Sequence, residues 1–430
     1  MRDCARGETA VKDAGDKYLP MPSGFGIQND GGRRMYAAYQ TRAQFSEILA
    51  PTIRGMIGVI HRTEAQITMP KVMAGLWERA TSDGLPLEAL HRRITGELLL
   101  MGRYGLLADA ASTGSDLPWL SGYTTESLIN WSPARDFFVL DESGLQRDGF
   151  SWKQRKAYRV LRLEDERYSV EKYDGEGQDG EVVQPTVRGG GALTAIPFVV
   201  MGPQDLSVSP QEPPLIGVAR AALAMYRLDA DYRHQLYMSG QETLVIINGE
   251  APAAVGAGVV ITLSASKDDH APDAKYVGPS GTGIAAHRQA ILDERDNAAS
   301  AGARLFDSEK RTAESGDALR IRYAAQTATL TSIALASAQG LEKALRHIAT
   351  MIGANPEEVV VKPNLSFVEA GLSPQEAQAL VSMWQSGAIS YQTLYENLQR
   401  GEIASAERTF EEEYELISGE TLSDEAANLQ

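Results

Sequence analysis

Cysteine is nearly absent from this chain: Cys4 stands alone among 430 residues, so neither an intrachain disulfide nor a multi-thiolate metal site can form. Long apolar runs are also missing. No stretch of about 18 apolar residues occurs, and Met1 to Gly15 is polar and charged without the apolar core of a signal peptide. The expectation is a soluble, intracellular protein of a reducing compartment with no membrane partner. Positive charge is scarce, since 41 Lys and Arg face 57 Asp and Glu for a net charge of −16. That balance excludes a surface that wraps nucleic acid as a whole, because such binding draws on clustered cations releasing counterions. It does not exclude DNA sliding past, for which an acidic wall with a few local cations is suited.

Catalytic signatures are missing as well. The six histidines, His61, His91, His234, His270, His287 and His347, show no zinc-binding spacing. No Gly-x-Ser-x-Gly elbow occurs. Gly278-Pro279-Ser280-Gly281-Thr282-Gly283 has the glycines of a phosphate loop but no Lys-Ser or Lys-Thr after it, so it reads as a turn before a helix. Asp268 and Asp269 beside His270 imitate a ligand cluster but read as a solvated acidic turn. Neither a metal nor a cofactor is expected.

What is present is a 43% hydrophobic chain able to bury a core, with one long helical pattern in its last third. Tyr323, Thr327, Leu330, Ala334, Ala338, Leu341, Leu345, Ile348 and Ile352 advance by threes and fours and share a face. At about 1.5 Å per residue this is a strut on the order of 50 Å long. Ser, Thr, Ala and Gln fill its other faces, small enough for neighbouring elements to approach from several sides. A polar loop precedes it, Asp307 to Gly316, in which Lys310 and Arg311 are adjacent cations suited to touching phosphate without reading sequence.

Residues 1–40 carry Gly, Pro and Asp clusters with little periodicity and read as an extended arm. An apolar helical face follows from Thr41, through Phe45, Leu49, Ile53, Met56 and Ile60. Leu87 to Gly102 reads as a helix turning directly into a strand at Gly105 to Asp109. The stretch from Ser127 to Val200 is β-rich, with strands at Phe137 to Leu140, Ala157 to Leu163, Tyr168 to Tyr173 and Ile196 to Met201. Helix returns at Leu215 to Met238, with Pro214 in its first turn. Short strands at Thr243 to Ile247 and Val259 to Leu263 then make a small β module. After the long helix come a strand at Val359 to Lys362, a helix opened by Ser373, Pro374 and Glu376, another at Ser390 to Leu398, and an acidic end expected to fray. The fold class is α+β.

The order helix, β insertion, helix, polar loop, long helix resembles the portal proteins of tailed bacteriophages, and within them a prophage portal-like family described only as a domain of unknown function. Short stretches in sequence carry the resemblance: Tyr18-Leu19-Pro20, Arg42-Ala43, Leu98 to Gly105, Ile129-Asn130-Trp131, Ile196-Pro197-Phe198-Val199, Pro213-Pro214-Leu215, Tyr226-Arg227, Gly302-Ala303-Arg304-Leu305 and Thr312-Ala313-Glu314. Together they span nearly the whole chain.

The resemblance implies a portal fold with an α/β wing, two-helix stem, small β clip, long wing helix and short helical crown. Its segments would be an N-terminal arm over 1–40, wing over 41–212, stem helices over 213–239 and 284–306, clip over 240–283, tunnel loop over 307–317, long helix and wing over 318–370, and crown with acidic tail over 371–430. It further implies a homo-oligomeric ring, usually of about twelve subunits, at one capsid vertex of the virion, assembled in the host cytoplasm. Viral double-stranded DNA would pass through the channel against Lys310 and Arg311. The clip, with Thr243, Asp268, Asp269 and His270, would meet the large terminase and later the head-tail adaptor, and the ring would contact the major capsid protein. No catalysis of its own is implied. Two other readings stand beside it: another head-tail connector protein, which the chain's length disfavours, and a metal-dependent hydrolase using the carboxylates near Asp268.

Overall fold

The computed structural model describes residues 1–26, 30–109, 117–175, 180–240, 242–255, 260–263, 272–278, 281, 283–302, 316–365, 367, 374–400, 403–405 and 408–427. It is an α+β protein whose chain divides into two compact units, Met1–Asn364 and Leu365–Gln430.

The first unit opens with short helices α1 (Arg2–Arg6) and α2 (Glu8–Asp13), then α3 (Asp30–Arg42), α4 (Leu49–Ile60), strand β1 (Gln66–Thr68) and α5 (Leu87–Met101). Strands follow as β2 (Tyr104–Asp109), β3 (Trp119–Thr124), β4 (Leu128–Trp131), β5 (Phe137–Asp141), β6 (Gly144–Asp148), β7 (Ser151–Arg155), β8 (Ala157–Glu164), β9 (Arg167–Asp174), β10 (Glu181–Val183) and β11 (Phe198–Met201). Then come α6 (Ile216–Ser239), β12 (Thr243–Ile247), β13 (Asp273–Val277), α7 (Ile284–Ser300), α8 (Gly316–Met351) and β14 (Val360–Lys362). Two sheets carry the body, a three-stranded one in the order β11-β2-β3 and a five-stranded one in the order β10-β9-β8-β5-β4; β1-β14, β6-β7 and β12-β13 are separate pairs.

The core forms where α8 lies across β2 and β11 and beside α5 and β14. Leu330, Ala334, Ala338, Leu341, Leu345 and Ile348 are buried, as their period requires, and so are Ile333, Ala336, Ala344 and Ala349 on the flanking faces. The second half of the helix therefore buries most of its circumference and leaves one exposed stripe through Leu335, Gln339, Lys343 and Thr350. The small side chains matter at the sheet: a Cβ on Gly340 would lie 1.9 Å from Met201 Sδ, so only glycine lets α8 approach β11 this closely. At the end of α5, Gly102 takes the left-handed conformation with φ 67 and releases the chain into β2 with no intervening loop. Strand β2 is buried along Tyr104, Leu106, Leu107 and Ala108, on both of its faces, as expected of a strand covered on one side by a helix and on the other by further chain.

The expected extended arm over 1–40 is corrected. Its described residues are largely helical, and Cys4, Val11, Leu19, Phe25 and Tyr39 are buried within this unit. Arg2 pairs with Glu97 on α5 at 2.8 Å and with Glu126 at 2.6 Å. Helices of five and six residues span too few turns to display a period, so their one buried side chain each leaves no pattern to read. The expected strand at Val259 to Leu263 is corrected too: its described residues, 260–263, lie outside any strand, and the partner of β12 is β13, in the register Thr243↔Val277 to Ile247↔Asp273. Pro214 lies two positions before the first residue of α6 rather than in its first turn.

The second unit holds α9 (Pro374–Gln385), α10 (Tyr391–Arg400) and α11 (Phe410–Ala427). Trp384, Tyr391, Tyr395, Phe410 and Tyr414 form its aromatic cluster. Ser390 caps α10 by accepting from the Thr393 amide at 3.1 Å. The end expected to fray is helical and begins with a reciprocal capping box: Thr409 Oγ1 accepts from the Glu412 amide at 3.3 Å while the Glu412 carboxylate accepts from the Thr409 amide at 2.8 Å. Glu411, Glu412 and Glu413 stand in the first turn of α11, where the helix dipole favours negative charge.

Two histidines tie α4, α5 and α8 together. The Thr95 hydroxyl donates to the His91 carbonyl at 3.1 Å and so accepts from His61 Nε2 at 2.8 Å; the Ser337 hydroxyl donates to the Ala334 carbonyl at 3.0 Å and accepts from His91 Nε2 at 3.2 Å. The two rings meet edge to face at 4.7 Å between centroids. Burial drives both toward the neutral form, His61 down to about 4 and His91 to about 3 from the usual 6.5. Since the folded values are lowered, the unfolded chain takes up protons first. The stability they allow is complete above about pH 6.5 and is lost as pH falls toward the folded values. Between pH 7 and 5 each histidine should cost up to about 2 kcal/mol. Urea titrations at the two pH values should show a distinctly smaller difference for the His61→Gln/His91→Gln variant than for the natural chain.

Candidate functional site

Helices α6 and α7 run antiparallel along their full lengths. At one end a Cβ on Gly217 would lie 2.9 Å from Ala301 Cβ, and at the other a Cβ on Gly283 would lie 3.1 Å from Gln235 Oε1. With 24 residues, α6 is about 36 Å long. The part up to Ala230 belongs to the core, burying Val218, Ala219, Ala221, Ala222, Met225, Tyr226 and Ala230; from Asp231 to Ser239 no residue is buried. Helix α7 is more open still, with Ala298 alone buried among its described residues. A helix that covers so little of itself cannot draw its stability from this chain's core.

The free end of the pair carries the hairpin β12-β13. Leu236, Tyr237 and Met238 at the end of α6 are exposed, and so are Ile247, Tyr276 and Val277 on the hairpin. These apolar side chains are therefore collected at one end of the helix pair. Thr243, expected in the partner-binding region, is here: it is the first residue of β12, exposed, and opposite Val277. Asp268, Asp269 and His270 lie outside the described residues, as do Lys310 and Arg311 in the polar loop between α7 and α8.

Sequence reasoning missed what braces the middle of α6. Tyr39 of α3 donates to Asp231 Oδ1 at 2.6 Å, and Phe25, Tyr39 and His234 meet edge to face with centroids 5.5 to 5.6 Å apart. Arg42 lies over the Tyr237 ring at 4.1 Å and Gln44 donates its amide to Asp229 at 2.7 Å. Burial, then the bond to the Asp231 carboxylate, raises the Tyr39 hydroxyl well above its usual range, so it stays a donor. Burial and the nearby Arg42 lower His234, leaving the ring neutral in this cluster. The signal was in the sequence as Tyr36, Tyr39 and Arg42, spaced by threes along one helix face.

Among the described residues no group of three or more His, Cys, Asp or Glu side chains is placed to hold a metal ion, and no helix is long and apolar enough to cross a membrane.

A family model described as "Domain of unknown function (DUF4055)" matches residues 214–352, about a third of the chain, which runs from the start of α6 to the end of α8. No curated protein matches the chain.

The glycine contact at the base of the pair makes a direct test. Gly217→Leu should destabilise the chain by about 1–3 kcal/mol through overpacking against Ala301, and adding Ala301→Gly should recover part of that loss. Urea unfolding of the two single variants and the double variant measures the coupling.

Proposed function

We propose that this chain is the subunit of a portal ring of a tailed bacteriophage, the conduit for packaging and ejecting viral DNA at one capsid vertex. The observation that carries the reading is the helix pair α6–α7, seated in the core at one end, unburied from Asp231 onward, tipped by the β12-β13 hairpin and followed in sequence by the long buried helix α8. In a closed ring each subunit meets two neighbours through different surfaces. That supplies the burial α7 lacks within its own chain.

On this reading α6 and α7 are the stem, the β12-β13 region is the clip that docks the large terminase and then the head-tail adaptor, and the body around α8 is the wing facing the major capsid protein. The second unit is the crown. The net charge of −16 suits a channel wall that must not grip a sliding polyanion, and Lys310 and Arg311 are its local phosphate contacts. Catalysis resides in the terminase partner and no cofactor takes part.

Electron microscopy of the purified chain with class averaging tests the reading: rings with a central hole are expected, and a compact monomer or dimer would sink it. The variant Lys310→Ala/Arg311→Ala should form the same rings while binding duplex DNA with a log–log salt slope smaller by about two. An unchanged slope would remove the polar loop from the DNA path.

A further inference from the structure

The pair β6-β7 belongs to no larger sheet, yet its register is that of its neighbours. Phe137 faces Arg162 and Asp141 faces Tyr158 in β5-β8; Gly144 then faces Arg155 and Asp148 faces Ser151 in β6-β7. The Glu142 amide donates to the Ala157 carbonyl at 2.8 Å across the joint. The two central strands of the five-stranded sheet thus continue as one ribbon past β4 and β9, which end at its base, where Arg155 pairs with Asp174. From Glu142 to the turn the ribbon extends on the order of 20 Å.

Every residue of β6 and β7 is exposed, but the alternation is that of a strand pair with a face to bury. Leu145, Arg147, Trp152 and Gln154 share one face, and Gln146, Asp148, Ser151 and Lys153 the other, since residues opposite in the register point the same way. Gly149, at φ 60, turns the chain and puts Phe150 at the tip. Leu145 is 65% and Trp152 64% exposed, and Phe150 is fully exposed. A two-stranded hairpin alone in water is marginally stable, and three large apolar side chains in the open mark a contact.

We propose that this ribbon is an intersubunit arm whose Leu145, Phe150 and Trp152 dock on the surface of a second copy of this chain. The occupant follows from charge: Lys153 pairs with Asp148 and Arg155 with Asp174, while Arg147 sets a cation on the apolar face beside Leu145 and Trp152, and in a chain whose net charge is −16 another copy presents the opposite sign to it. The contact is heterologous, one element against a different surface of its neighbour, which is the kind that closes into rings. The assignment rests on the ring reading above and adds to it the element that reaches across.

Mass photometry over a concentration series, on the natural chain and on Leu145→Ser/Phe150→Ser/Trp152→Ser, tests it, with thermal unfolding as a control for folding. The variant should unfold at the natural temperature and need at least about tenfold more protein for half-assembly. Amide exchange over residues 144–155 should slow in the assembled natural chain relative to the dissociated one. If the natural chain forms rings and the variant does so at the same concentration, or the ribbon exchanges as fast in the ring as outside it, the arm is refuted and the ring reading survives. If the natural chain never assembles, both fall. Slowed exchange on adding duplex DNA or phosphatidylserine vesicles to the dissociated chain, with no slowing on assembly, would assign the ribbon to those partners and overturn the proposal.

Discussion

Enclosure of α8 is the constraint on which the rest of the first unit depends. A helix of 36 residues has four or more faces to satisfy along its length, and this one meets α5, β2, β11 and β14 in its second half. Close approach is possible because the positions facing the sheet are small: Gly340 against Met201, with Ala334, Ala338 and Ala344 along the buried side. Dense contact with the sheet fixes β2 and β11, and the connection over 202–215 leads from β11 to the start of α6. Ser332 secures that loop by donating to the Pro203 carbonyl at 2.9 Å.

From this anchored base two elements leave the core, and they do so by different physics. The pair α6–α7 is held by its own antiparallel contact and by the aromatic brace from α3, where Phe25, Tyr39 and His234 interlock. The ribbon β6-β7 is held by backbone hydrogen bonds that extend a sheet register outward and by ion pairs, Arg155 with Asp174 at its base and Lys153 with Asp148 near its tip. Both end in exposed apolar side chains, Tyr276 and Val277 in one case and Phe150 and Trp152 in the other. Stability is thus concentrated in the core, and apolar surface is displayed where these elements end.

Several buried polar groups hold elements together. His61 and His91 each give their Nε2 proton to a hydroxyl that is itself tied to a helix carbonyl, so the pair is satisfied while neutral and links three helices. Arg159 lies between the two main sheets with Asp109 at 2.6 Å and Glu142 at 2.9 Å. A largely buried cation with two carboxylates cross-links the sheets, and removing one partner would leave the others poorly compensated.

What the sequence determined by itself was everything governed by local periodicity and local chain chemistry. The stripe from Leu330 to Ile348, the direct passage from α5 through Gly102 into β2, the strands β5, β8 and β9, and the helix–β–helix order around β12 were legible because each extends over enough residues for a 3.6- or 2-residue period to appear, or ends at a glycine whose conformation is demanded. The capping box at Thr409 and Glu412 is just as local, yet the acidic run Glu411 to Glu413 led the sequence reading to expect a frayed end there. Tertiary structure alone decided the pairing of β12 with β13, since any short apolar strand could have served until the chain brought Asp273–Val277 alongside. It alone turned the N-terminal residues into short packed helices, because a buried Cys4 or Val11 draws its free energy from neighbours distant in sequence. The exposure of Leu145, Phe150 and Trp152 was likewise invisible beforehand: alternation tells which face of a ribbon is apolar, and only the fold shows that nothing within the described chain covers it.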